Sequence, residues 1–162
     1  MTTLEKKIDA LMRYCAADYG AEKMNARDEI RQLLDESVNE DIKVIYDTKI
    51  RQILFELCAS EHKLGYEYIG EAVLIGVEDP KKLMNLTWGV YAEIAVEHEM
   101  GIDNIQRGIQ RVVDEIADKA PPEALYKYFG KMYDGKRKLS NSMFLTRLAN
   151  IVRCGNVEGV KR

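Results

Sequence analysis

Asn104, Gln106, Arg107, Gln110 and Arg111 recur at a spacing that a helix would gather on one face. Carboxamide and guanidinium groups are the side chains that hydrogen-bond base edges and phosphates of duplex DNA. Arg pairs bidentately with guanine O6 and N7, and Asn or Gln with adenine N6 and N7. The expected roles are therefore base contacts from Asn104, Gln106, Arg107 and Gln110, and a phosphate contact from Arg111. Lys136, Arg137 and Lys138 form a second basic group, followed by Ser140. These four are expected on phosphates, which position a protein on DNA without specifying sequence.

Such a face needs a helix to carry it and a second element to hold that helix. Ile105, Ile109, Val112, Val113 and Ile116 mark the opposite, apolar side of the same stretch. Upstream, Tyr91, Ile94 and Ala95 recur at helical spacing, while Glu93, Glu97 and Glu99 stay wet. Gly101 is the expected turn residue, since a sharp helix–helix corner commonly requires φ > 0. Asp103 stands where an N-cap belongs, with Gln106 three residues on in a capping-box arrangement. Tyr91–Ala117 thus reads as a helix-turn-helix with its recognition helix over residues 103–117. An ordinary αα-hairpin shares much of this pattern, and Glu97 and Glu99 would repel nearby phosphates.

The chain has 162 residues, 46% of them hydrophobic, enough for one core with a small appendage. Net charge is −3, so no globally basic footprint exists. The distribution is uneven: residues 1–48 carry 7 Lys+Arg against 11 Asp+Glu, residues 49–125 carry 8 against 14, and residues 126–162 carry 9 against 2. The basic end is local and lies just beyond the two-helix unit. Cys15, Cys58 and Cys154 form no C-x-x-C pair, and with His62 and His98 alone beside them they make no zinc set. A reduced, cytoplasmic setting is expected. MTTLEKKIDALM lacks the features of a signal peptide, and no apolar run approaches about 18 residues, so no membrane partner is expected.

In chain order, Thr2 with Glu5 forms a capping box for a helix over residues 3–17, striped by Leu4, Ile8, Leu11, Met12 and Cys15. A second helix over 21–37 presents Met24, Ile30, Leu33 and Leu34. Asn39 is expected to cap a third, with Ile42, Ile45, Tyr46, Ile50, Ile53, Leu54 and Leu57 on one face. Gly65–Val77 is a strongly apolar helix, and Asp79-Pro80 starts another. Trp88 is expected to anchor the two-helix unit to the core. Pro121-Pro122 stops the recognition helix, Glu123–Phe129 follows, and KMYDGKRK is a basic loop. Ser140 caps a final helix over Asn141–Arg153, with Arg147 outward. Strand signals are nearly absent.

Residues 50–153 resemble the C-terminal DNA-binding effector domain of stage zero sporulation protein A. The matching stretches are IRQILFEL, His62 with Leu64-Gly65-Tyr66-Glu67-Tyr68 and Glu71-Ala72, and Tyr91 with Ile94-Ala95. Ile105-Gln106-Arg107-Gly108-Ile109, Phe129-Gly130 and Ser140-Asn141-Ser142-Met143-Phe144 complete them, in family order. The resemblance implies an all-helical domain whose second helix-turn-helix element enters the major groove, often as tandem copies. It also implies contact with RNA polymerase through its sigma subunit. The chain departs from the family with Ala92 and Leu139 at usual Pro positions, Gln106-Arg107 for Glu-Arg, and Gln110-Arg111 for Arg-His. The residues before position 49 are too few for the phosphoacceptor receiver domain of the founding member.

The combined reading is an all-α protein with an N-terminal helical hairpin over residues 1–44. A compact multi-helix domain containing the helix-turn-helix follows over 45–162. Its expected function is sequence-specific binding of double-stranded DNA as a transcription regulator, with a homodimer possible through the hairpin. The alternative is a protein-interaction adaptor of the same fold that binds sigma or another regulator. No catalytic constellation, cofactor motif or metal set is present, so an enzyme is not expected.

Overall fold

The computed structural model describes residues 2–17, 20–133 and 138–155. Seven α-helices follow one another among them: α1 (Thr3–Ala16), α2 (Ala21–Glu56), α3 (Leu64–Glu78), α4 (Ala92–Glu97), α5 (Ile102–Lys119), α6 (Pro122–Phe129) and α7 (Asn141–Cys154). Two 3₁₀ turns, Pro80–Met84 and Gly130–Met132, and a π turn, Thr87–Tyr91, link them. No strand occurs among the described residues, and no described helix is long and apolar enough to cross a membrane. The all-α expectation holds. The chain divides into two compact units, Met1–Ile45 and Tyr46–Arg162, and α2 contributes to both.

In the first unit Thr2 and Glu5 close the expected capping box, each side chain accepting from the other's backbone N–H. Arg13 links α1 to α2, bonding Asp9 at 3.0 Å and Glu29 at 2.8 Å, and Lys23 lies over the Tyr14 ring. Among the described residues of this unit only Ala10 and Ala26 are fully buried. Leu4, Ile8, Leu11 and Met12 on α1 stay exposed, as do Met24, Leu34, Val38, Ile42 and Ile45 on α2. A cap at Asn39 would divide this region into two helices, but α2 runs unbroken from Ala21 to Glu56. Asn39 can cap a helix, yet Ser37-Val38-Asn39 contains neither Gly nor Pro. The modest propensity deficit of Asn does not stop a helix already propagating.

The core of the second unit is built around α3, which packs against both α5 and α7. Ile50, Ile53 and Leu54 from α2 and Leu57 just beyond it meet Tyr66, Ile69 and Val73 of α3 in one cluster with Phe144, Leu145 and Leu148 of α7. The α3–α5 crossing is unusually close. A Cβ on Gly65 would stand 2.0 Å from the Gly108 carbonyl oxygen and 2.9 Å from Val112 Cγ2. Two backbones therefore touch where a side chain has no room.

Two expectations fail here. Trp88 is 71% exposed rather than an anchor. In the π turn Val90 and Tyr91 face inward instead, and Gly89 lies against the Lys82 backbone. Arg147 is half-buried, its Nε donating to the Tyr128 carbonyl at 2.6 Å, because a guanidinium reaching inward can satisfy a main-chain acceptor left open near the end of α6. Asp79 does cap the segment at Pro80, accepting from Lys81 N–H at 3.1 Å, although that segment is a 3₁₀ turn.

Glu115 ties α5 to the approach to α3. Its side chain, 7% exposed, receives Lys119 Nζ and Lys63 Nζ at 2.8 Å each and Ser60 Oγ at 2.9 Å. These bonds, Lys119's foremost, hold the carboxyl down to about 2 from an ordinary 4.5. The folded state thus takes up this proton less readily than the unfolded chain. The resulting stability is complete above the ordinary value and is lost as pH falls toward the depressed one. Chemical denaturation of wild type and Glu115→Gln across that window is expected to show the gap between them closing with acidification. A gap independent of pH would contradict it.

Candidate nucleic-acid interface

Between α4 and α5 the chain turns through a Schellman motif. Met100 N–H donates to the Ala95 carbonyl at 2.9 Å and Glu99 N–H to that of Val96 at 3.3 Å. Glu99 occupies the left-handed position, with φ 52°. Gly101 does not: its φ of −70° and ψ of 145° make it the extended N-cap of α5, which begins at Ile102. Asp103 therefore falls inside the first turn, and the expected Asp103–Gln106 capping box does not form. The Schellman bonds place the φ > 0 requirement immediately after α4, two residues before the glycine. Asp103 still complements the positive end of α5. Glu99→Gly is expected to raise unfolding free energy by up to about 1 kcal/mol, because a β-carbon is disfavoured in this conformation. Equal or lower stability in denaturant titration would contradict that.

Three contacts fix this corner to the rest of the unit. Tyr68 OH on α3 donates to Met100 Sδ at 3.1 Å. His98, at the end of α4, places Nε2 2.7 Å from Glu71 Oε1 and its ring edge-on to Tyr68. Asn141, buried at the start of α7, donates from Nδ2 to Tyr91 OH at 3.1 Å and to the Gln106 carbonyl at 3.2 Å. Asn141 thus joins the π turn that leads into α4 to α5 beyond the corner. Sequence reasoning gave it no role. An Asn following a Ser cap reads as surface polar, and only its place in the SNSMF stretch set it apart.

On α5, Ile105, Ile109, Val112, Val113 and Ile116 are all buried, as the apolar stripe predicts. Asn104, Gln106, Arg107 and Arg111 are exposed on the outer side. Arg107 makes no ion pair with Asp103 or Asp114 among the described residues. Gln110 differs from its neighbours: it is half-buried, and its Nε2 donates to Asp114 Oδ1 at 2.8 Å and to the Leu139 carbonyl at 3.2 Å. Lys138 is exposed with Nζ 3.6 Å from Asp114 Oδ2, so residues 138–139 lie beside the middle of α5. Ser140 Oγ accepts from Met143 N–H at 3.2 Å and caps α7. Lys136 and Arg137 lie outside the described residues. Glu97, Glu99 and Asp103 are exposed around the turn and set a local negative charge against the guanidinium groups.

A short helix, a Schellman turn and a longer helix with an apolar inner and an amide–guanidinium outer face define a helix-turn-helix domain. The family model described as "Sporulation initiation factor Spo0A C terminal" matches residues 50–152, from the last two turns of α2 to the last turn of α7. That is well over half of the chain, and the chain belongs to this family of DNA-binding effector domains. It is thereby placed among DNA-binding transcription regulators connected with sporulation.

Proposed function

We propose that α5 enters the major groove and reads a particular duplex sequence. The observation that carries this reading is the outer face of α5, where Asn104, Gln106, Arg107 and Arg111 stand exposed above a fully buried apolar stripe. In this reading Arg107 takes guanine O6 and N7, with Gln106 and Asn104 on adjacent bases. Gln110 is held by Asp114 and Leu139, so its base contact requires it to exchange these partners. Arg111, Lys138 and Ser140, with Lys136 and Arg137, supply the phosphate contacts. The N-terminal unit is an oligomerisation or regulatory segment, and the sigma subunit of RNA polymerase is a protein partner for the effector unit.

One observation favours a second reading, an adaptor that binds sigma or another regulator and not DNA. Trp88 and Met84 are strongly exposed close together in sequence, as an interaction surface would require. Selection of bound duplexes from a random library at two salt concentrations separates the readings. The DNA reading predicts an enriched sequence and a negative salt slope of roughly 0.9 per phosphate contact. Absence of any duplex binding would favour the adaptor.

A further inference from the structure

In the first unit most large apolar side chains of α1 and α2 stay exposed, and among its described residues only two alanines are fully buried. Its exposed apolar side chains on α1 and α2 amount to nine without Val44. Four of them, Met24, Leu34, Val38 and Ile45 on α2, are each more than half exposed, and large exposed apolar side chains grouped on one face mark an interaction surface. Two fully buried alanines make no independent core.

The pattern on α2 says what covers this surface. Met24, Arg31, Val38 and Ile45 recur every seven residues, and Arg27, Leu34 and Asp41 each follow one of them by three. All seven are exposed. Their spacing is that of the a and d positions of a heptad, with Arg27, Arg31 and Asp41 standing where such a seam is otherwise apolar. In a parallel pair every layer would meet itself, setting Arg31 against Arg31 and Asp41 against Asp41. In an antiparallel pair a meets d. Leu34 then packs on Val38 of the second copy, Arg27 lies along Ile45, and Arg31 meets Asp41, twice over by symmetry. We propose that the N-terminal unit pairs with a second copy of itself through an antiparallel α2–α2 seam centred between Leu34 and Val38. The helical wheel and the charge order both fit one occupant, this same segment reversed.

The test needs no DNA and so stands apart from the function of α5. Sedimentation velocity of the full chain, at concentrations reaching about 100 µM, is expected to show a dimer. Arg31→Glu and Asp41→Lys, each alone, are expected to weaken dimerisation at least tenfold, while the double variant recovers it. Circular dichroism confirms that each variant stays helical. A monomeric wild type, single variants as dimeric as wild type, or a double variant no better than either single would each overturn the proposal.

Discussion

Gly65→Ala is expected to cost about 3 kcal/mol or more of unfolding free energy. The new β-carbon would meet the Gly108 carbonyl oxygen at 2.0 Å, and a main-chain atom cannot swing aside as a side-chain tip can. The gain of about 1 kcal/mol in helix propensity from Gly to Ala is too small to compensate. Relief requires α5 to move away from α3, which also shifts Gln106 and Arg107, so DNA affinity should fall with stability. Gly70 is the internal control. It lies on the same helix with nothing within 4 Å of its would-be Cβ, and Gly70→Ala should stabilise by roughly 0.5–1 kcal/mol. Similar midpoints for the two variants in denaturant would contradict the packing described at the crossing.

Arg107→Ala is expected to weaken binding to the selected duplex by about 1–3 kcal/mol and to relax preference at one base pair. The guanidinium is exposed on the second turn of α5 and is not held by Asp103 or Asp114 among the described residues. Its removal should leave folding nearly unchanged, since a surface Arg without a partner contributes little. Binding isotherms on the selected site and on variants with the guanine replaced provide the check. Equal loss on every duplex would make Arg107 a phosphate contact, and no loss would remove it from the interface.

Much of the fold was legible because helices announce themselves by apolar period. The α5 stripe from Ile105 to Ile116, the Thr2–Glu5 box and the Ser140 cap all stand where the pattern places them. What escaped were features decided by local hydrogen-bond geometry or by tertiary contact. The left-handed turn residue is Glu99, since hydrogen bonds at the end of α4 choose the position and the nearby Gly101 is equally at ease extended. Trp88 looked like an anchor because of its size, but the π turn faces Val90 and Tyr91 inward. The roles of Gly65 and Asn141 depend on helices distant in sequence. Neither a missing side chain nor a buried amide leaves a periodic trace. The outer face of α5 was legible as a set of residue types, whereas the engagement of Gln110 by Leu139 was not.

The most direct test of α5 as a major-groove reader is methylation interference on the selected duplex. Dimethyl sulfate blocks guanine N7 in the major groove and adenine N3 in the minor groove, where only a degenerate pattern is displayed. The expected result is that methylation of one guanine N7 weakens wild-type binding and leaves the already weaker binding of Arg107→Ala unchanged. Interference confined to adenine N3, or interference at that guanine equal in both proteins, would contradict it.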